Sequence, residues 1–144
     1  MSGITPEMLD ALERPVRRER FGKAVPGGPN ERTIQRSIIA ALRKIGVRCI
    51  HIPNGGSLTG SEYQRQRQGI ARRMDGVVTG FPDLLLIRPG SPAQYGLLEV
   101  KRPGGTASAA QSACIAHMRA DGCCVEVVTS LDEALEALRK WGWL

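Results

Sequence analysis

The chain has few of the residues from which zinc and imidazole-based catalytic sites are built. Its 144 residues include only two histidines and four cysteines, Cys49, Cys114, Cys123 and Cys124. The cysteines show no C-x-x-C spacing, which is the usual pattern of a zinc-binding pair. We therefore expect reduced thiols and no zinc site.

Long apolar runs are also missing. No stretch approaches the roughly 20 apolar residues that a membrane-spanning helix needs. The first residues, "MSGITPEMLD", lack the apolar segment of a signal peptide. We expect a cytoplasmic protein with no membrane partner.

Positive charge is abundant, because the net charge is +6. Arginine is clustered in "RPVRRERFGK" (14–23) and "RQRQGIARR" (65–73). The guanidinium group pairs with phosphate through two parallel hydrogen bonds, so such clusters suit nucleic acid. Each cluster alone is more typical of a solvated basic surface or a flexible arm, and only the two together favour a nucleic-acid partner. The candidate contacts in the second cluster are Arg65, Arg67, Arg72 and Arg73.

The chain divides into a basic N-terminal arm, 1–29, and a single compact domain, 30–144. Asn30 is a good N-cap for a first helix that ends at Gly46, and a β-branched strand, "VRCIHIP", follows. The remaining predicted elements are a helix near Glu62–Met74, strands 82–87 and 95–101 in a hairpin, a helix from 108 to 120, the strand "CVEVVT" and a helix after Ser130. The order α-β-(α)-β-β-α-β-α predicts an α/β fold with a central mixed sheet flanked by helices.

The stretch "GLLEVKRPGG" (96–105) combines strand character with two charged residues. The two-residue period of a strand places Leu97, Glu99 and Lys101 on one face. A hairpin between 82–87 and 95–101 brings Asp83 to the same end of the sheet. Two neighbouring carboxylates repel each other, and Mg²⁺ or Mn²⁺ removes that repulsion. A salt-bridged pair at a strand end is the alternative interpretation of Glu99 and Lys101.

Several separated motifs resemble one family. "GFPDLLLI", "YGLLEVKRPGG" and "SAAQSACIAHMRADG" are similar to the VRR-NUC branch of the PD-(D/E)xK nuclease superfamily, as are "IQRSIIAALRKIGVRCIHIPNGG" and "CVEVVTSLDEAL". The resemblance extends from Asn30 to Leu138, and it implies a restriction-endonuclease-like core.

The resemblance also implies roles for individual residues. Asp83 and Glu99 would be metal ligands, with the Val100 carbonyl as a further ligand and Lys101 beside the attacking water and the phosphate. Glu31, at the start of the first helix, would reach the metal or its water shell, although a carboxylate there also suits the helix dipole. Gln111 would order the site or contact phosphate.

The loop after the first strand, "HIPNGG", resembles a phosphate-approaching loop of the family. Asn54, Gly55 and Gly56 are its candidate nucleic-acid contacts, because a glycine backbone can come close to a phosphate. Arg102, next to Lys101, is a further candidate.

The function expected from the resemblance is a metal-dependent endonuclease that cuts DNA, at branched or structured sites such as flaps or junctions. Such proteins would be stand-alone phage or bacterial nucleases, active in DNA repair and as homodimers. A non-catalytic nucleic-acid-binding module that keeps the nuclease fold is one alternative, and an RNA-directed nuclease is another.

Overall fold

A computed structural model of the protein describes residues 20–53 and 58–144. Those residues form four helices and six strands. The elements are β1 (Arg20–Phe21), α1 (Glu31–Lys44), β2 (Arg48–His51), α2 (Glu62–Met74), β3 (Leu84–Arg88), β4 (Gln94–Val100), β5 (Gly105–Thr106), α3 (Ala109–Ala120), β6 (Cys124–Val128) and α4 (Leu131–Lys140). The predicted element order is confirmed, and the short strands β1 and β5 are additional to it.

The central sheet has the strand order β2-β3-β4-β6. Strands β2, β3 and β4 pair antiparallel, whereas β6 lies parallel to β4. The parallel pair follows from the connection, because α3 carries the chain from the end of β4 back to the start of β6. The prediction of a mixed sheet flanked by helices is therefore confirmed.

The two faces of the sheet bury different numbers of apolar side chains. Helices α1 and α4 cover one face through a large core that includes Ile38, Leu42, Leu98 and Leu138. The opposite face packs Leu97 and Val125 against Ile115 of α3 in a smaller core. Helix α1 begins where predicted, because the Asn30 side chain accepts a hydrogen bond from the Thr33 N–H at 2.9 Å.

The segment before α1 contacts the domain. Arg20–Phe21 pairs antiparallel with Gly105–Thr106, and the Gly104 N–H donates to the Phe21 carbonyl at 2.6 Å. The boundary predicted at Asn30 stays a prediction, and residues 1–19 of the predicted arm lie outside the described residues. The contact places 20–29 beside the loop that follows β4.

Helix α2 is confirmed between Glu62 and Met74 but buries none of its residues. Its first turn is fixed by a capping box between Ser61 and Gln64. Met74 remains 83% exposed and Tyr63 67% exposed. Across 20–53 and 58–144, no helix has the length and apolar character needed to span a membrane.

Candidate active site

Glu99 of β4 and Lys101, which follows the strand, lie on the side of the sheet that α3 covers. Leu98 and Val100 belong to the large core under α1 and α4. Leu97 belongs to the smaller core with α3, and the alternation of a strand places Glu99 and Lys101 on the same side. The predicted facing of these residues is confirmed.

Asp83 lies at the mouth of β3, next to the end of β4. Leu84 pairs with Leu98 in the antiparallel register. This register puts Asp83, the residue directly before β3, opposite Glu99. The Val100 N–H donates to Asp83 Oδ2 at 3.0 Å. The Asp83 carbonyl accepts from the Ile52 N–H at 2.8 Å, so both neighbouring strands hold this residue.

Glu99 is fully buried, and Lys101 is 8% exposed. Lys101 Nζ lies 2.7 Å from Glu99 Oε1. The Gln111 side-chain amide also donates to Oε1. Glu99 Oε2 is buried and has no hydrogen-bond partner among the residues that the structure describes. A buried carboxylate oxygen without a donor is costly, so this atom points to a ligand.

Both carboxyl groups hold their protons more tightly than usual. The pKa of Glu99 is raised to about 7, mainly by burial and also by the Asp83 charge, while the hydrogen bond from Lys101 acts in the opposite direction. Burial also raises the pKa of Asp83, while the Val100 hydrogen bond and the Lys101 charge act in the opposite direction. A cation between the two groups would favour their ionised forms.

Gln111 is positioned by the first turn of α3. Its Oε1 accepts from the Ser108 N–H at 2.9 Å, which leaves the amide nitrogen free to reach Glu99. The loop before Asp83 packs closely on the same turn of α3. A Cβ on Gly80 would lie only 2.6 Å from the backbone nitrogen of Gln111. Sequence reasoning selected Gln111 but missed this packing, since it depends on contact between distant segments.

Glu31 lies at the N-terminus of α1 and near the two carboxylates. Its charge contributes to the raised pKa of both Asp83 and Glu99. Its Oε1 accepts from the Arg102 N–H at 3.4 Å. No group of three or more His, Cys, Asp or Glu side chains with metal-binding geometry occurs within 20–53 and 58–144.

The residues fit a hard divalent cation. Mg²⁺ keeps several waters and is commonly held by one or two carboxylates together with substrate oxygens. Asp83 and Glu99 would supply that pair, with the unpartnered Glu99 Oε2 as a ligand atom. The Val100 carbonyl and Glu31 stay predicted ligands.

The predicted nucleic-acid contacts fall in separate places. Arg65, Arg67 and Arg73 are exposed on α2, and Arg72 there is half-buried. The Arg67 guanidinium lies 5.9 Å from the centre of the Tyr63 ring. Arg102 instead borders a cleft beside α1. Asn54, Gly55 and Gly56 lie outside the described residues.

Two arginines that sequence reasoning passed over border the same cleft as Arg102. Arg32 and Arg36 are one helical turn apart on α1. Each lies two positions before a buried isoleucine, Ile34 or Ile38, and therefore on the solvent-facing side of the helix. The sequence alone is enough to predict this exposure. Only the fold shows that they border the same cleft as Arg102.

One family model matches most of the chain. The family model described as the VRR-NUC domain matches residues 30–132. Comparison with curated proteins and with solved structures finds no significant match. The matched range contains both carboxylates, Lys101 and Gln111. The chain therefore belongs to the VRR-NUC domain family, whose restriction-endonuclease-like fold it shares and whose class of activity is that of a nuclease acting on DNA.

Proposed function

We propose that the chain is a metal-dependent endonuclease that hydrolyses DNA phosphodiester bonds. The observation that carries this proposal is the buried, unpartnered Oε2 of Glu99, beside Lys101 and opposite Asp83. A purely structural salt bridge would leave this oxygen without compensation in the interior. A metal-binding carboxylate explains both its burial and its orientation.

Asp83 and Glu99 would hold Mg²⁺ or Mn²⁺, with the Val100 carbonyl and Glu31 as further ligands. Such a cation activates water and neutralises charge on the phosphate. Asp83 is fixed for this task, because the Val100 and Ile52 amides hold its side chain and its carbonyl. Gln111 holds Glu99 through Oε1, which leaves Oε2 for the ligand.

Lys101 would act on the attacking water and on the phosphate. Its ammonium group is almost buried, so its charge is poorly screened by solvent. The hydrogen bond to Glu99 fixes it at the edge of the carboxylate pair. A cation in this position can orient a water molecule and stabilise the negative charge that develops as the bond to phosphorus forms.

The substrate that we propose is branched or structured DNA, such as a flap or a four-way junction, cut by a homodimer. A single chain of 144 residues offers limited surface for gripping two duplex arms, and a second copy doubles it. The exposed residues of α2 that can contact DNA or the second copy are Arg65, Arg67, Arg73, Tyr63 and Met74.

A substrate panel tests this proposal. The chain would be incubated with duplex, single-stranded, flap and four-way-junction DNA and with RNA, each with Mg²⁺, with Mn²⁺ and with EDTA. We expect cleavage of a branched DNA that EDTA abolishes and that Lys101→Ala loses while still binding. Binding without cleavage by the native chain would indicate a non-catalytic module, and preferential cleavage of RNA would indicate an RNA-directed enzyme. Sedimentation of the DNA-bound chain would test the dimer.

A further inference from the structure

An open cleft of about 890 Å³ lies beside the carboxylate pair. One wall is the face of α1 that carries Arg32, Gln35 and Arg36, and the other includes His51 and Arg102. Helix α1 is anchored from its opposite side by Ile34, Ile38 and Leu42, which are buried. The helix therefore presents its arginines from a fixed position.

The cleft carries a surplus of positive charge. The guanidinium groups of Arg32, Arg36 and Arg102 form no ion pair with a carboxylate in the described parts of the chain. Glu31 is the acidic residue of the lining, and its side chain accepts a hydrogen bond from the backbone N–H of Arg102. Three unpaired guanidinium groups around one concave surface form a site for an anion that accepts several hydrogen bonds.

The cleft and the candidate active site share structural elements. His51 is paired with Leu84, the residue after Asp83, and Ile52 donates to the Asp83 carbonyl. Arg102 directly follows Lys101. An extended polyanion that reaches the carboxylate pair would therefore continue along this cleft.

We propose that the cleft binds a backbone phosphate of the strand that is cut, next to the scissile one, through Arg36, Arg32 and Arg102. The inference rests on the proposed nuclease function and adds to it the residues that set the strand in register. Phosphate contacts of this kind fix position without reading sequence. Half-buried Ile39, between the two α1 arginines and the core, gives the adjoining sugar an apolar surface.

The test measures binding apart from cleavage. A synthetic flap DNA would be titrated with the Lys101→Ala chain in Mg²⁺, and with the same chain carrying Arg36→Gln or, as a control, Arg43→Gln. Arg43 is an exposed residue of α1 outside the cleft lining, so its loss changes the net charge equally. We expect Arg36→Gln to weaken binding about ten-fold and to reduce the salt dependence by about one counterion. Arg43→Gln should change both much less.

Neutral methylphosphonates, placed at one position at a time along the flap DNA, locate the contact. We expect one internal position whose neutralisation weakens binding of the Lys101→Ala chain but has no further effect once Arg36→Gln is present. Flaps with and without a 5′-terminal phosphate separate a backbone contact from an end contact. Coupling that appears only with the terminal phosphate would overturn the backbone assignment.

Failure of this inference is distinguishable from failure of the proposed function. If the native chain cleaves DNA while Arg36→Gln and every methylphosphonate act additively, the nuclease stands and the phosphate cleft is wrong. If the coupling is found but the native chain cleaves nothing, the cleft stands and the nuclease is wrong. Absence of any binding contradicts both.

Discussion

Both faces of strand β4 are removed from solvent over 96–100, and at the end of the strand they carry opposite chemistry. Leu98 and Val100 face the large core, and each is at most 1% exposed. On the other face, Glu99 is 0% exposed, yet it carries a carboxyl group and touches Lys101 and Gln111. Burial of a leucine stabilises the fold, whereas burial of an unpaired carboxylate oxygen opposes it. Leu98 and Val100 therefore maintain the structure, whereas stability alone does not explain the burial of Glu99.

Substitution on the polar face should lower the cleavage rate, and substitution on the apolar face should lower the stability. Lys101→Ala should lower the cleavage rate by about 10²–10³-fold, because one fixed charge at the reacting phosphate is lost. Leu98→Ala should lower the free energy of unfolding by about 2–5 kcal/mol, because it leaves a cavity in the large core. Cleavage assays and denaturant unfolding of both variants measure the two losses. The distinction between the faces fails if Leu98→Ala lowers the rate per folded molecule as much as Lys101→Ala does.

The polar face should make stability depend on pH. The pKa of Glu99 is raised from 4.5 to about 7, so the folded chain keeps this proton after the unfolded chain has released it. In EDTA the free energy of unfolding should therefore fall as the pH rises from 4.5 to about 7 and then level off. Glu99 contributes about 3 kcal/mol to this fall.

Glu99→Gln isolates this contribution, because the amide does not titrate. Denaturant unfolding at acid and at alkaline pH should show a smaller fall for Glu99→Gln than for the native chain. Glu136→Gln, on the exposed side of α4, is the matched control and should behave as the native chain does. Parallel pH profiles for all three proteins would mean that Glu99 is not held in a desolvated site.

The loop before Asp83 should tolerate a Gly→Ala substitution less well than the open turn at Gly76. Gly80 and Gly76 have φ values of +80° and +83°, so Gly→Ala at either position costs about 1 kcal/mol in backbone strain. A Cβ at Gly80 would also collide with Ala110 and Gln111, whereas none of the described residues comes within 4 Å of a Cβ at Gly76. Gly80→Ala should therefore destabilise by about 1–3 kcal/mol more and slow cleavage. Equal unfolding midpoints for the two variants would contradict this packing.

The sequence predicted the features that depend on local patterns. The Asn30 cap, the span of α2 and the facing of Glu99 and Lys101 follow from capping residues and from helix and strand periods. The pairing that brings Asp83 to the end of β4 was also predictable, because a short turn-rich link joins the two strands.

Other features depend on contacts between distant segments and leave no local signal. Strands β1 and β5 are two residues long, so they show no period, and their pairing joins residues far apart in the chain. The hydrogen bond from Gln111 to Glu99 and the unpartnered Oε2 arise only when α3 lies on the sheet. The cleft between Arg36 and Arg102 likewise exists only in the folded chain.

We propose that Asp83 and Glu99 hold a divalent cation that DNA cleavage requires. The most direct test is the rate of flap-DNA cleavage as Mg²⁺ is added to the metal-free native chain and to Asp83→Asn. Asparagine can still accept the Val100 hydrogen bond through its amide oxygen, so the variant removes charge with little change in the local structure. We expect cleavage by the native chain to rise with Mg²⁺ and to saturate. We expect no cleavage by Asp83→Asn. Equal cleavage by the two proteins, or cleavage that persists in EDTA, would contradict it.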